Sequence, residues 1–88
     1  MEIPAAMTEN VDPDAAIVEV DARGLQCPLP LLKAKQAINK LTSGALLRVR
    51  STDAGSVRDF AVFARQTGHA LLESSSADGA FTFLLRKS

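Results

Sequence analysis

Asp21-Ala22-Arg23-Gly24-Leu25-Gln26-Cys27-Pro28-Leu29-Pro30 decides how this chain is read, because it sets the single cysteine directly before two prolines and an amphipathic segment. Proline suits the first turn of a helix, where backbone N–H groups have no intrahelical acceptor, so Pro28 and Pro30 mark a helix start rather than a break. Gly24 turns the chain into that start. Cys27 would then stand at the positive end of a helix, where unpaired N–H groups and the macrodipole favour an anion. A cysteine in that setting is expected to have a lowered pKa and to act as a nucleophile. The competing reading is a small buried hydrophobe, as free cysteines often are.

Working outward, Leu31, Ala34, Ala37, Ile38 and Leu41 recur at helical spacing over Pro28–Leu41, with Lys33, Lys35, Gln36, Asn39 and Lys40 on the other side. Thr42-Ser43-Gly44 ends this helix. Before it, Ala16–Asp21 alternates as a first strand, and after it Ala45–Ser51 alternates as a second, with Leu47 and Val49 on one face. A second helix starts at Thr52-Asp53, or later with Ser56 as cap, and presents Val57, Phe60, Ala61 and Ala64 as its stripe. Gly68 stops it. His69–Ser75 and Ala80–Lys87 are two strands joined through Ala77-Asp78-Gly79, a hairpin-favouring turn, with Phe81, Phe83 and Leu85 facing one way. The order is β-α-β-α-β-β. A right-handed crossover lets both helices cover one face of a four-stranded mixed sheet, an α/β (α+β) two-layer sandwich with the other face open.

The chain is 88 residues long, enough for one small domain, read here as residues 16–88 behind a flexible N-terminal leader at 1–15 that holds Pro4 and Pro13 and has no sustained period. One cysteine excludes an internal disulfide and a multi-cysteine metal site. Ten basic and ten acidic residues balance, which argues against direct nucleic-acid binding and against an anionic membrane as partner. The apolar runs are shorter than a membrane span needs, and a reactive free thiol suits a reducing cytosol, so a cytoplasmic protein is expected.

At Cys27-Pro28-Leu29-Pro30 the sequence resembles the TusA/SirA-like sulfur-carrier family, whose hallmark is a Cys-Pro-x-Pro motif opening the first helix. Asp21-Ala22-Arg23-Gly24-Leu25, Gly44, Asp53, Arg58-Asp59-Phe60 and Gly68-His69 extend the resemblance over about Ile17–Lys87. Leu29, where an acid is common, and Ala54, where a proline often follows the aspartate, depart from the pattern and leave the subfamily open. The resemblance implies sheet order 1-2-4-3 and a sulfurtransferase that is a carrier rather than a multi-substrate enzyme. It implies a cysteine desulfurase or rhodanese-like sulfur donor and a downstream acceptor protein, in tRNA thiolation, molybdenum-cofactor assembly or sulfur oxidation.

Cys27 is the candidate catalytic residue: its thiolate would attack the outer sulfur of a donor persulfide and pass that sulfur on, with no cofactor, no metal and no general base required. Gly24, Pro28 and Pro30 position it at the helix start. Arg23 is a candidate for anion support, against the alternative of a solvated turn residue. Leu29 and Leu32 project about 60° apart and away from the core stripe, which makes them candidates for partner docking. Asp53 and Asp59 read as cap and helix-surface residues, and His69 as a structural hydrogen-bonding group. The rival function is a non-catalytic RNA- or protein-binding regulatory module using Arg48, Arg50 and Arg86 on the open sheet face.

Overall fold

The alternating segments and periodic stripes build β1 (Ile17–Ala22), α1 (Leu29–Ile38), β2 (Leu46–Ser51), α2 (Gly55–Thr67), β3 (Ala70–Ala77) and β4 (Ala80–Arg86). This is a computed structural model, and it describes residues 17–88; the leader expected at residues 1–15 lies outside the described residues. The sheet runs β1-β2-β4-β3, with β1 parallel to β2 and the remaining pairs antiparallel. Both the expected element order and the expected sheet order hold.

Leu47 and Val49 of β2 and Phe83 and Leu85 of β4 point to the helical layer and are fully buried. They meet Ala34 and Ile38 of α1 and Phe60, Phe63 and Ala64 of α2. Phe60 stacks on Phe83 with ring centroids 4.5 Å apart, at the centre of the contact between α2 and the sheet. Leu31, Ala37 and Leu41 pack at the margin of this core, as their spacing predicts.

Two details differ from the sequence reading. The regular helix α1 runs only from Leu29 to Ile38; Lys40 and Leu41 bond back to Ala37 and Ile38 in three-residue turns, so the expected last turn is tightened. In α2 the inward residues are Ser56, Phe60, Phe63 and Ala64, while Val57 is 42% exposed and Ala61 faces out. The cause is a polar one. Ser56 Oγ and Ser51 Oγ hydrogen-bond at 2.7 Å in the interior, and Ser51 Oγ also accepts the Asp53 N–H at 3.1 Å. This buried pair sets the rotation of α2, because two buried hydroxyls are stable only when each finds a partner. Apolar periodicity gives no sign of it.

Two turns rest on left-handed backbone. Asp78 and Gly79, at φ 54° and 79°, close the β3–β4 hairpin, both positive as a type I′ turn requires. Gly68 caps α2 at φ 83° and donates its N–H to Ala64 C=O at 3.0 Å. A methyl at position 68 would meet no atom within 4 Å, so Gly68→Ala isolates the backbone cost. We expect a loss of about 1 kcal/mol and a fall in Tm of roughly 5 °C by thermal melting. An unchanged Tm would contradict the assignment of this cap.

The open face carries Arg48, Arg50 and Arg86 on adjacent strands, as the sheet order predicts. It also carries counter-charges for two of them: Glu19 stands opposite Arg48 and Asp21 opposite Arg50 on β1. Arg48 donates to Glu19, and Arg50 lies 3.9 Å from the same carboxylate.

Candidate active site: a thiol beside two carboxylates

The chain leaves β1 at Ala22 and turns at Gly24, whose φ is 82° and whose N–H donates to Thr52 Oγ1 at 2.9 Å. That bond ties the cysteine loop to the β2–α2 loop. Leu29 N–H then bonds to Gln26 C=O at 2.8 Å and Leu32 N–H to Pro28 C=O at 3.1 Å, closing the start of α1. Pro28 occupies the N-cap, without a side-chain cap, and buried Pro30 lies in the first turn. The helix begins one residue later than expected, and Cys27 stands just outside it. Its side chain is exposed, which removes the reading of Cys27 as a buried hydrophobe.

The sulfur faces the first turn of α2. A methyl added to Gly55 would lie 3.7 Å from Cys27 Cβ, 3.9 Å from Sγ and 2.9 Å from Asp53 Oδ2. The bare backbone of Gly55 therefore lets the cysteine and the Asp53 carboxylate approach α2. One turn on, Asp59 Oδ2 accepts a hydrogen bond from Cys27 Sγ at 2.7 Å. Asp53 Oδ2 is buried and has no hydrogen-bond partner among the described residues.

This arrangement reverses the expected titration. The hydrogen bond to Asp59, partial desolvation, and the charges of Asp59 and Asp53 together push the Cys27 thiol above its ordinary pKa. A full carboxylate charge in contact with sulfur outweighs the partial charge of a helix end, which acts only near the terminus and is open to solvent here. Arg23 does not offset it. Its Nε and Nη2 each donate to Asp21 at 2.9 Å, which holds the Asp21 carboxyl well below the usual carboxylate range. The carboxylate two residues back takes the guanidinium proposed for the thiol.

Leu29 and Leu32 are 47% and 45% exposed, on the side expected. Between α1 and α2 lies a groove of about 340 Å³, with Leu31, Lys35, Arg58 and Phe63 in its walls and Asp59 at the thiol. Lys35 Nζ lies 5.8 Å from the centre of the Phe63 ring. His69 is structural, as read: Nδ1 accepts the Ser88 N–H at 3.0 Å. The sequence reading missed the pairing of Asp59 with Cys27. A signal was available in the i, i+4 spacing of Gly55 and Asp59, which puts the carboxylate directly over the one side-chain-free position of the first turn. Among the described residues, no group of three or more His, Cys, Asp or Glu side chains could hold a metal, and no helix is long and apolar enough to cross a membrane.

Comparisons with known proteins agree with this geometry. Residues 18–87 match the family model for sulfurtransferase TusA. The chain is 54% identical over 70 residues to the sulfur carrier protein TusA of Allochromatium vinosum, covering 80% of this chain and 92% of the relative. It is 39% identical over 75 residues to the sulfur carrier protein TusA of Pseudomonas putida, covering 85% and 90%. The crystal structure of a SirA-like protein from Desulfitobacterium hafniense superposes with a TM-score of 0.71 at 25% identity, covering 78% of this chain and 95% of that one. With an exposed cysteine opening the first helix of the same βαβαββ sandwich, the chain belongs to the TusA family of sulfurtransferases and sulfur carriers.

Proposed function

We propose that Cys27 accepts a sulfane sulfur as a persulfide and relays it to an acceptor protein. The observation that carries this reading is the exposed Cys27 sulfur at the start of α1, in a chain of the TusA family. The donor is a protein persulfide of the cysteine desulfurase or rhodanese-like type. The acceptor belongs to tRNA thiolation, molybdenum-cofactor assembly or sulfur oxidation, in the cytoplasm. Gly24 and the two prolines hold the thiol outside the helix, and no cofactor takes part. The test is single-turnover incubation with a cysteine desulfurase and cysteine, then release by dithiothreitol. One sulfide per chain is the expected yield, and none from any persulfide donor would refute the relay.

The exposed leucines make a docking rim for the donor or acceptor, since apolar side chains around a reactive group are stabilised when a partner covers them. Leu32→Ala is expected to lower kcat/KM for transfer from a protein donor at least about fivefold, the effect of losing one moderate interface contact. Transfer from glutathione persulfide, which needs no such surface, should keep its rate. If protein and small-molecule donors responded alike, the rim would have no docking role.

The open-face alternative is weaker for a physical reason. Glu19 pairs with Arg48 and stands near Arg50, so two of the three arginines meet a carboxylate of the same sheet, which reduces the charge left for a phosphate backbone.

A further inference from the structure

We propose that Asp59 masks the Cys27 thiol in the empty carrier, and that the arrival of sulfur itself lifts the mask. This rests on the relay proposed above and concerns the same sulfur. The empty protein holds an S–H···O contact of 2.7 Å between Cys27 Sγ and Asp59 Oδ2. Asp53 also stands at Gly55, with a buried Oδ2 that has no hydrogen-bond partner among the described residues. Among the described residues, no Lys or Arg forms an ion pair with either carboxylate. From β1, Arg23 is held by Asp21; from α1, Lys35 lies over Phe63; from α2, Arg58 lines the groove wall beside Asp59. Losing the proton would leave a thiolate in contact with one carboxylate and close to a second, so the empty sulfur stays protonated and slow to react.

Loading removes the contact through its own stoichiometry. In R–S–SH + Cys27–SH → R–SH + Cys27–S–SH, the donor's S–S bond breaks and an Sγ–S bond forms. The inner donor sulfur leaves with the electron pair and takes up the proton given by Cys27. Atoms and electrons balance with no outside oxidant. Sγ then carries no proton and cannot donate to Asp59. A persulfide ionises more readily than a thiol, and its negative terminal sulfur is repelled by Asp59 and Asp53. The direction left to it is outward, to the solvent that Cys27 already faces. The same carboxylate thus quiets the empty carrier and presents the loaded one.

The test is Asp59→Asn, which keeps shape and an accepting oxygen but removes the charge, with Asp59→Glu as the charge-preserving control. Iodoacetamide alkylation is followed against pH on the empty protein and on protein loaded with glutathione persulfide, with products assigned by mass. In empty Asp59→Asn the midpoint is expected to move to lower pH. Each unit of that move speeds alkylation at neutral pH by about threefold, because about tenfold more thiolate is partly offset by its weaker nucleophilicity. Loaded Asp59→Asn should shift its midpoint clearly less than the empty variant does, because the terminal sulfur has turned away from position 59, and Asp59→Glu should stay near wild type in both states. An unshifted midpoint in the empty variant, or the same shift in both states, overturns the mask while leaving the relay standing. Wild-type protein that takes no sulfur overturns the relay and the unmasking together, whatever the empty variant shows.

Discussion

Cys27→Ser is expected to fold as the parent does and to gain no sulfur from any persulfide donor. The fold should be spared because Cys27 is exposed and contributes nothing to the buried cluster. A serine hydroxyl can donate to Asp59 as the thiol does, so the tie between the cysteine loop and α2 survives. An exposed substitution of this kind changes stability by no more than about 0.5 kcal/mol. The chemistry should be lost entirely, because an alcohol is too weak a nucleophile at neutral pH without an activating base and has no route to a persulfide. The paired measurements are a thermal melt and sulfide released by reductant after exposure to donor. Sulfide from the serine variant at the wild-type yield would place the acceptor elsewhere.

Phe60→Ala carries the largest expected effect on stability, about 3–5 kcal/mol. Phe60 is fully buried and stacks on Phe83 with an interplanar angle of 14°, so its removal opens a cavity at the junction of α2 with β4 and forfeits an aromatic contact. In a domain whose total stability is of order 5–15 kcal/mol, that loss should lower Tm by roughly 15–30 °C. The site should suffer with it, because Phe60 anchors the helix that carries Gly55 and Asp59 to the sulfur. Chemical denaturation gives the number directly. A loss below about 1 kcal/mol would mean that the core is organised around some other contact.

Much of the fold was legible because the helices and strands obey simple periods. Leu47 and Val49 against Arg48 and Arg50 announce a strand with one buried face, and Asp78-Gly79 supplies the two positive φ angles of the β3–β4 hairpin. The rotation of α2 was not legible, since it is set by the Ser51–Ser56 hydroxyl pair, and buried serines look like surface serines in a sequence. The nucleophile was legible from Cys27-Pro28-Leu29-Pro30, but its electrostatic setting was not. Arg23, close in sequence, is captured by Asp21, while Asp59 is brought to the sulfur across 32 positions of chain by the packing of α2. A local reading weighs helix ends and neighbouring charges and cannot weigh a carboxylate delivered by tertiary structure. That is why the expected direction of the thiol pKa was reversed.

The identity of Cys27 as a relay thiol is tested most directly by intact mass. Wild-type protein is incubated with a cysteine desulfurase and cysteine, freed of donor, weighed, and digested. The relay predicts a gain of one sulfur atom per chain, carried on the peptide containing Cys27, removed by dithiothreitol and lost on transfer to an acceptor thiol. An unchanged mass with a desulfurase, a rhodanese-like donor and glutathione persulfide in turn, while Cys27 remains free to alkylate, would contradict it.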